Sequence, residues 1–304
     1  MSARRAATET RCGFVALVGA PNSGKSTLLN RFVGSKVSIV TPKVQTTRSR
    51  ITGIAIAGEA QLVFVDTPGI LAPKRRLERA MVAAAWSGAE SADVVVMLVD
   101  APRGIDPDTR RILAGLVEAG REAVLAINKI DLVKRATLLP LAAELNEAGR
   151  FTDTFMVSAL SGDGVGDLKA ALARKVPPSP WLYPEDQLAD IPERLVAAEI
   201  TREKLFLRLN QEVPYAVAVE TESFKEGDDG SVRIDQVVYV LRESHRPIVL
   251  GKGGQRIKAV GTAARRELEE LLSRRVHLFL HVKVRPDWAD DPERYRDLGL
   301  EFPR

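Results

Sequence analysis

A run of eight residues near the amino terminus fits the pattern G-x-x-x-x-G-K-[ST]: Gly19-Ala20-Pro21-Asn22-Ser23-Gly24-Lys25-Ser26. In this pattern backbone N–H groups cradle phosphates, the lysine reaches the β- and γ-phosphates, and the serine hydroxyl is a ligand of Mg²⁺. The apolar run Phe14–Val18 before it predicts a buried strand, and the spacing from Thr27 to Phe32 predicts a helix. The motif therefore predicts a nucleotide phosphate site formed by a strand, a loop and the start of a helix.

Two later stretches offer groups for a magnesium ion and for the γ-phosphate. The polar, aperiodic residues 34–50 predict a surface loop from which Thr46 or Thr47 could reach Mg²⁺, and we favour Thr47. The alternative for this stretch is an ordinary polar loop. About 40 residues after Lys25, an apolar run ends in Asp66-Thr67-Pro68-Gly69, in which the aspartate could hold Mg²⁺ through water and the glycine N–H could donate to the γ-phosphate.

Two further stretches predict that the base is guanine. In Asn128-Lys129-Ile130-Asp131, the Asp131 carboxylate can accept from both N1–H and the N2 amine of guanine, and adenine offers neither donor. Asn128 can support the loop, and the stem of Lys129 can pack over the base. Backbone N–H groups of Ser158-Ala159-Leu160 can contact guanine O6.

The residue after Gly69 limits the mechanism. A Ras-like enzyme keeps a glutamine there to orient the attacking water, and here the residue is Ile70. We therefore expect slow intrinsic hydrolysis, with the barrier lowered mainly by Mg²⁺, Lys25 and backbone donors such as Gly69 N–H.

The elements that carry these motifs alternate between strand and helix up to residue 175. This order predicts an α/β domain with a mostly parallel six-stranded sheet and helices on both faces. All the motifs lie at the carboxyl ends of predicted strands or in the loops just after them, where such sheets bind ligands. The predicted strands are Phe14–Val18, Ile51–Ala57, Gln61–Val65, Asp93–Asp100, Ala123–Ile127 and Asp153–Val157. The predicted helices are Thr27–Phe32, Leu77–Glu90, Pro107–Ala119, Leu138–Ala148 and Val165–Lys175.

The second half of the chain begins after a proline-rich segment. Four prolines in the nine residues Val176–Pro184 predict a semi-rigid, extended linker, with a domain boundary near residue 180. The order that follows is helix, strand, strand, glycine-rich loop, helix and strand, which is an α+β arrangement. The predicted elements are helix Ile191–Asn210, strands Tyr215–Thr221 and Ser231–Arg242, a helix to about Leu272, and strand Val276–Val284.

The glycine-rich loop Gly251-Lys252-Gly253-Gly254 fits G-x-x-G, with which a KH fold clamps a nucleic-acid backbone. Between residues 251 and 285 there are nine Lys or Arg and three Glu, and Arg256 and Lys258 are among the basic residues. An apolar groove of Ile248, Leu250 and Ile257 could hold unpaired bases, which favours single-stranded RNA over duplex. The alternatives are a solvated basic helix face and a second nucleotide loop, and the second of these lacks the phosphate-loop spacing.

Composition agrees with a globular protein of two domains. The 304 residues are 45% hydrophobic and 28% charged, with a net charge of +4. Cys12 is the only cysteine, which excludes an intramolecular disulfide and favours a reducing compartment. Residues 1–11 are polar, so we expect no secretory signal, and the apolar run Val94–Val99 is far shorter than the roughly 20 residues of a membrane span. The three histidines are scattered and predict no metal site.

These motifs, with Gln45-Thr46-Thr47-Arg48 and the helix segment 197–204, resemble the Era family of bacterial GTPases from Gly13 to Arg285. The resemblance implies a GTPase domain followed by a type II KH domain. It implies binding of 16S ribosomal RNA near its 3′ end, a role in 30S subunit assembly, and a cytoplasmic location with a fraction peripherally on the inner membrane. We expect a monomer with a tail at 1–12, the GTPase domain at 13–176, a linker at 177–189, the KH domain at 190–286 and a tail at 287–304.

Three hypotheses stay open on the sequence alone. Asn22 suggests a K⁺ ion near the phosphates, as in some cation-dependent relatives of the family. A nucleotide-gated RNA scaffold with little hydrolysis is a second hypothesis, which the intact Lys25, Ser26, Asp66 and Asn128–Asp131 disfavour. A membrane-associated signalling GTPase, whose basic domain meets anionic lipid, is the third.

Overall fold

The computed structural model describes residues 10–43, 46–48, 51–73, 75–209, 213–286, 288 and 291–303. Gln45 and parts of the two predicted tails lie outside the described residues. The chain divides into two compact units. The first comprises Met1–Ser38, Thr47–Asp190 and Leu298–Arg304, and the second comprises Ile39–Thr46 and Ile191–Asp297.

The first unit contains a six-stranded sheet in the order β2-β3-β1-β4-β5-β6. Its strands are β1 Arg11–Gly19, β2 Ile51–Ala57, β3 Ala60–Asp66, β4 Val94–Asp100, β5 Ala123–Asn128 and β6 Phe151–Val157. Its helices are α1 Lys25–Val33, α2 Arg76–Ser91, α3 Pro107–Glu118, α4 Leu138–Ala148 and α5 Val165–Lys175. The hairpin of β2 and β3 is antiparallel, and the other strand pairs described in this sheet are parallel. The predicted mostly parallel α/β fold is confirmed.

Three strands of this sheet, β3, β4 and β5, are buried along their whole length. Their sequences are nearly continuous apolar runs because both faces of a parallel sheet are covered by helices. β1 pairs in parallel with β3 and β4, so the loop after β1 lies at the same edge as Asp66 and Asp100. The strand ends therefore meet at one edge, where Asp100 is also directly opposite Asn128.

The proline-rich segment is part of the first unit. Ile54 N donates to Leu188 O (2.8 Å), and Asp190 N donates to Thr52 O (3.2 Å), so the end of the segment pairs with the edge strand β2. Gln61 is fully buried, and its Oε1 accepts from Leu182 N (2.9 Å) and from Tyr183 N (3.0 Å). The predicted extended spacer is thus fastened to the sheet, since backbone groups of an edge strand and a buried amide both need partners.

The second unit contains a three-stranded sheet on which helices pack. Its elements are α6 Glu193–Arg208, β7 Val217–Glu226, β8 Val232–Val240, α7 His245–Leu250, α8 Gln255–Leu272, β9 Val276–Val284 and α9 Pro292–Asp297. β7 pairs antiparallel with β8, and β8 pairs parallel with β9. Apolar residues of α6 and α8 pack on inward positions of β8 and β9, among them Ile200, Leu205, Val260 and Leu268.

Two short helices differ from the sequence expectation. The sequence order predicts no helix between the second strand of this unit and the glycine-rich loop, but His245–Leu250 form α7. Val249 is buried in the core, and a three-residue apolar run has no period that distinguishes strand from helix. α9 lies within the segment predicted to be a tail.

Part of the predicted loop 34–50 belongs to the second unit. Val40 N donates to Glu203 Oε1 (2.9 Å), and Lys43 Nζ donates to the carbonyls of Phe206 and Leu209. Val40 and Lys43 are therefore bound to α6 and to the residue that follows it, while Thr47 belongs to the first unit. Across the described residues, no helix is both long enough and apolar enough to span a membrane.

Candidate nucleotide and nucleic-acid sites

The phosphate loop Gly19–Ser26 joins β1 to α1, as predicted. Gly24 has φ 98°, and a Cβ placed there would lie 2.2 Å from Asn128 Nδ2, so only glycine fits. Lys25 Nζ is buried and donates to Gly19 O (3.1 Å) and Ala20 O (3.0 Å). Burial lowers the pKa of Lys25 to about 8, against the opposing charge of Asp66. An anion entering this loop would therefore stabilise the charged form of the buried ammonium.

Three hydroxyl groups converge on one oxygen of Asp66. Ser26 Oγ lies 2.7 Å from Asp66 Oδ2, Ser38 Oγ 2.9 Å and Thr47 Oγ1 3.3 Å. Ser26 Oγ and Thr47 Oγ1 are 2.9 Å apart. Asp66 is fully buried, and burial raises its pKa, although Lys25 and the three hydroxyls oppose this effect. The other oxygen, Asp66 Oδ1, is buried and has no hydrogen-bond partner among the described residues.

This cluster suits a hard cation such as Mg²⁺, because all the atoms that could bind the metal are oxygens. One of them, a buried carboxylate oxygen, has no hydrogen-bond partner among the described residues. The structure brings Thr47 to the cluster, whereas Thr46 Oγ1 instead contacts Thr41 Oγ1 (2.7 Å) and Lys43 O (2.7 Å). Ser38 is a member of this cluster that the motifs do not predict. A serine in a polar loop carries no signal in a single sequence, and only the fold brings it to Asp66.

The stretch 66–70 packs closely against the phosphate loop. Thr67 Oγ1 donates to Leu17 O (2.7 Å), Pro68 is buried, and a Cβ on Gly69 would lie 2.8 Å from Pro21 Cα. Ile70 N donates to Gly19 O (3.1 Å). The Ile70 side chain is fully buried in the core with Val18 and Ala20. The structure therefore places the Ile70 side chain in the hydrophobic core, while its backbone touches the phosphate loop.

Asn128 connects the phosphate loop to the predicted base loops. Its Nδ2 donates to Ser23 O (2.8 Å), and its Oδ1 accepts from Ala159 N (2.9 Å). Lys129 has φ 65°, and its Nζ lies 2.6 Å from Asp100 Oδ2. Asp131 is exposed in the turn that follows β5. The asparagine is thus a structural bridge, and the exposed aspartate is accessible to a base.

The loop Ser158–Leu160 differs in detail from the expectation. Ala159 N–H is already donated to Asn128, and Ser158 N donates to Asp163 O (2.9 Å), so these two N–H groups are engaged within the protein. Of the three N–H groups that the sequence offers to guanine O6, that of Leu160 remains a candidate donor. Arg31 of α1 holds the loop, because its Nε donates to Ala159 O (3.2 Å) and its Nη2 to Leu160 O. Arg31 is a residue of this site that the motifs do not predict.

In the second unit, the G-x-x-G loop lies between α7 and α8. Gly251, Gly253 and Gly254 have φ values of 73°, 58° and 75°. Lys252 and Gly253 are exposed, and a Cβ on Gly253 or Gly254 would meet nothing within 4 Å among the described residues. The loop therefore presents open, glycine-lined backbone beside one lysine, which is the surface a nucleic-acid backbone could approach.

The flanking residues are arranged less simply than predicted. Ile248 is 40% exposed, while Leu250 and Ile257 are half-buried. The Arg256 guanidinium donates back to the carbonyl of Ile248, so it braces the loop. Lys258 instead lines an open groove of about 390 Å³ between α6 and α8. The other residues of that groove are Arg208, Gln255, Ala259, Thr262, Ala263 and Arg266. Among the residues the structure covers, no cluster of three or more His, Cys, Asp or Glu could hold a metal.

The fold and the two sites define a P-loop GTPase joined to a KH domain. Residues 14–129 match the family model described as 50S ribosome-binding GTPase, and residues 212–289 match the KH domain model. GTPase Era of Rhizobium meliloti (strain 1021) is 60% identical over 298 residues, which cover 98% of this chain and 95% of that relative. The chain belongs to the Era family of GTPases, as the sequence resemblance implied.

Another relative and two solved structures agree. GTPase Era of Afipia carboxidovorans is 60% identical over 295 residues, covering 97% of this chain and 96% of the relative. The crystal structure of a variant of Aquifex aeolicus Era bound to GDP·AlF₄⁻ is 41% identical, with a TM-score of 0.90, covering 95% of this chain and 99% of that one. A structure of Era with MgGDPNP and nucleotides 1506–1542 of 16S ribosomal RNA has the same TM-score of 0.90, identity of 41% and coverage of 95% and 99%.

Proposed function

We propose that this GTPase is a nucleotide switch that binds 16S ribosomal RNA near its 3′ end through the KH unit and acts in assembly of the 30S subunit. The observation that carries the nucleotide part of the proposal is the buried Asp66 carboxylate, which three hydroxyls approach on one oxygen while the other oxygen has no partner among the described residues. A similar protein has been solved with MgGDPNP and 16S RNA nucleotides 1506–1542, which supports both ligands.

In this proposal, Ser26, Thr47 and Asp66 hold Mg²⁺, which neutralises phosphate charge when bound. Lys25 supplies a further positive charge, because its ammonium already lies in the loop against Gly19 O and Ala20 O. Gly69 N–H is the donor for the γ-phosphate. Ile70 is turned into the core and cannot orient water, so turnover is slow.

The guanine contact is assigned to Asp131. The Asp131→Asn variant should lose its preference for GTP and gain one for xanthosine triphosphate, because an amide donor then matches the O2 of xanthine. Competition binding against a fluorescent nucleotide measures both preferences. Asp167→Asn makes the same change at an exposed aspartate of α5 and should leave them unchanged. Retained GTP preference in Asp131→Asn would contradict the assignment.

The RNA contact is assigned to the G-x-x-G loop. Lys252→Ala should weaken binding of a single-stranded oligoribonucleotide matching the 16S 3′ end, and it should lower the slope of log K against log salt by about 0.7. The full-length protein is titrated at several salt concentrations by fluorescence anisotropy. Lys225→Ala, at an exposed lysine of β7, is the matched control. Equal affinities and slopes for the two variants would argue against a clamp at this loop.

We place the protein in the cytoplasm as a monomer, with a peripheral fraction on the inner membrane, and we keep domain limits of 13–176 and 190–286. Competition between anionic liposomes and RNA for the full chain separates lipid binding from RNA binding.

We also propose a K⁺ ion near Asn22, which requires faster single-turnover hydrolysis in KCl than in NaCl. Equal rates in the two salts would refute the K⁺ site.

A further inference from the structure

Asp100 lies at the carboxyl end of β4, directly opposite Asn128 at the end of β5. Its side chain is only 8% exposed, although it carries a carboxylate. None of the nucleotide motifs in the sequence includes this residue. A buried charge at the ligand-binding edge of a parallel sheet needs a partner, and that partner identifies what the charge does.

The partner is the lysine of the base-recognition motif. Lys129 Nζ lies 2.6 Å from Asp100 Oδ2, and the lysine side chain is 30% exposed. Lys129 has φ 65° and ψ 37°, a left-handed backbone that is uncommon for a residue with a side chain. The backbone turn and the ion pair together define the course of the Lys129 stem. Asp131 follows two residues later, in the 3₁₀ turn Ile130–Leu132.

The backbone of Asp100 is held firmly. Its carbonyl accepts from Arg103 N (2.9 Å) and Gly104 N (3.0 Å), and the next residue, Ala101, donates to Asn128 O (2.9 Å). The ends of β4 and β5 are therefore tied to each other at the level of the motif. Asp100 Oδ1 is buried without a hydrogen-bond partner among the described residues, so Lys129 is the partner through which this carboxylate acts.

We infer that Asp100 is a positioning residue for guanine recognition, which holds Lys129 by its ammonium so that the lysine stem forms a fixed wall beside Asp131. The inference rests on the proposed guanine site. Asp100 acts on the nucleotide only through Lys129, so its loss should weaken nucleotide affinity and leave the chemical step unchanged. The wild-type preference for GDP over ADP tests the guanine site separately from this role.

The test is a double-mutant cycle on the full-length protein. Asp100→Asn removes the charge with little change of shape, and Lys129→Met keeps the stem without the ammonium. Affinity and dissociation rate are measured with a fluorescent GDP analogue, and single-turnover hydrolysis is measured at saturating GTP. Asp93→Asn is the matched control, because Asp93 lies just before the amino end of β4, away from Asp100 at the carboxyl end. Its carboxylate accepts from Phe14 N (2.7 Å). Thermal melts without nucleotide report the folding of each variant.

Asp100→Asn should raise the Kd for GDP about tenfold, since a charge-assisted hydrogen bond is replaced by a neutral one. In the Lys129→Met background, the same substitution should change Kd by less than about twofold. Asp100→Glu keeps the charge and should bind GDP within about threefold of wild type, which provides a test if Asp100→Asn does not fold. The inference would be overturned if Asp100→Asn bound GDP with wild-type affinity. It would also be overturned if the fold-changes in Kd of the two single variants multiplied in the double variant, or if Asp100→Glu bound GDP as weakly as Asp100→Asn. A wild-type chain that does not prefer GDP to ADP would instead refute the proposed guanine site.

Discussion

Replacing Asn128 by alanine should destabilise the protein even when no nucleotide is bound. Asn128 is 1% exposed, and its amide spans two loops that are far apart in sequence. The donor side bonds Ser23 O at 2.8 Å, and the acceptor side bonds Ala159 N at 2.9 Å. The alanine variant leaves a buried carbonyl and a buried N–H without these partners. The asparagine of the N-K-x-D motif therefore has a structural role besides any contact with the base.

The size of the effect follows from the two lost bonds. A buried polar group left without its partner costs about 1–3 kcal/mol, so two such groups lower the free energy of unfolding by about 3 kcal/mol. For a unit of roughly 150–250 residues, this amounts to a fall in Tm of about 6–12 °C. The change should appear in the transition of the first unit, which contains all three residues.

Calorimetry of the nucleotide-free protein measures this change. Asp131→Asn is the control, because Asp131 is exposed in the same motif, and its Tm should stay within about 1 °C of wild type. A normal Tm for Asn128→Ala, together with lost nucleotide affinity, would refute the reasoning, since Asn128 would then act only by touching the ligand.

Two further predictions concern residues whose role the fold reveals. Ile70→Gln should lower the Tm and leave hydrolysis no faster, because the new amide enters an apolar core at a cost of about 1–3 kcal/mol. Ile70→Leu is the control. A faster single-turnover rate in Ile70→Gln would contradict the burial of this side chain in the core. Gln61→Leu should release the proline-rich segment, so chymotrypsin should cut near Trp181, Leu182 or Tyr183 faster than in wild type while the Tm changes little. Cleavage at the wild-type rate would mean that the pairing with β2 alone holds the segment.

The glycines and the proline-rich segment illustrate how much local sequence can predict. The phosphate-loop motif predicts a glycine at position 24 so that the backbone can approach a phosphate. The fold gives a second reason for glycine there, because a Cβ would collide with the amide of Asn128. The proline-rich segment was predicted to be extended, which is a local property of proline. That it is fastened to Gln61 and to β2 depends on which strand forms the edge of the sheet. α7 was missed because its three apolar residues have no period of their own.

The amino-acid sequence alone determined the properties that depend on contiguous residues: the phosphate loop, the strand-and-helix order, the N-K-x-D motif and the G-x-x-G loop. Each motif is a run of contiguous residues, so its residue types are visible in a short window. Only the tertiary structure decided that Ser38 reaches Asp66, that Arg31 holds Leu160, that Asp100 holds Lys129 and that Ile70 faces the core. Each of these depends on side chains from separate elements, which the order of the strands brings together at one edge or buries beneath the helices.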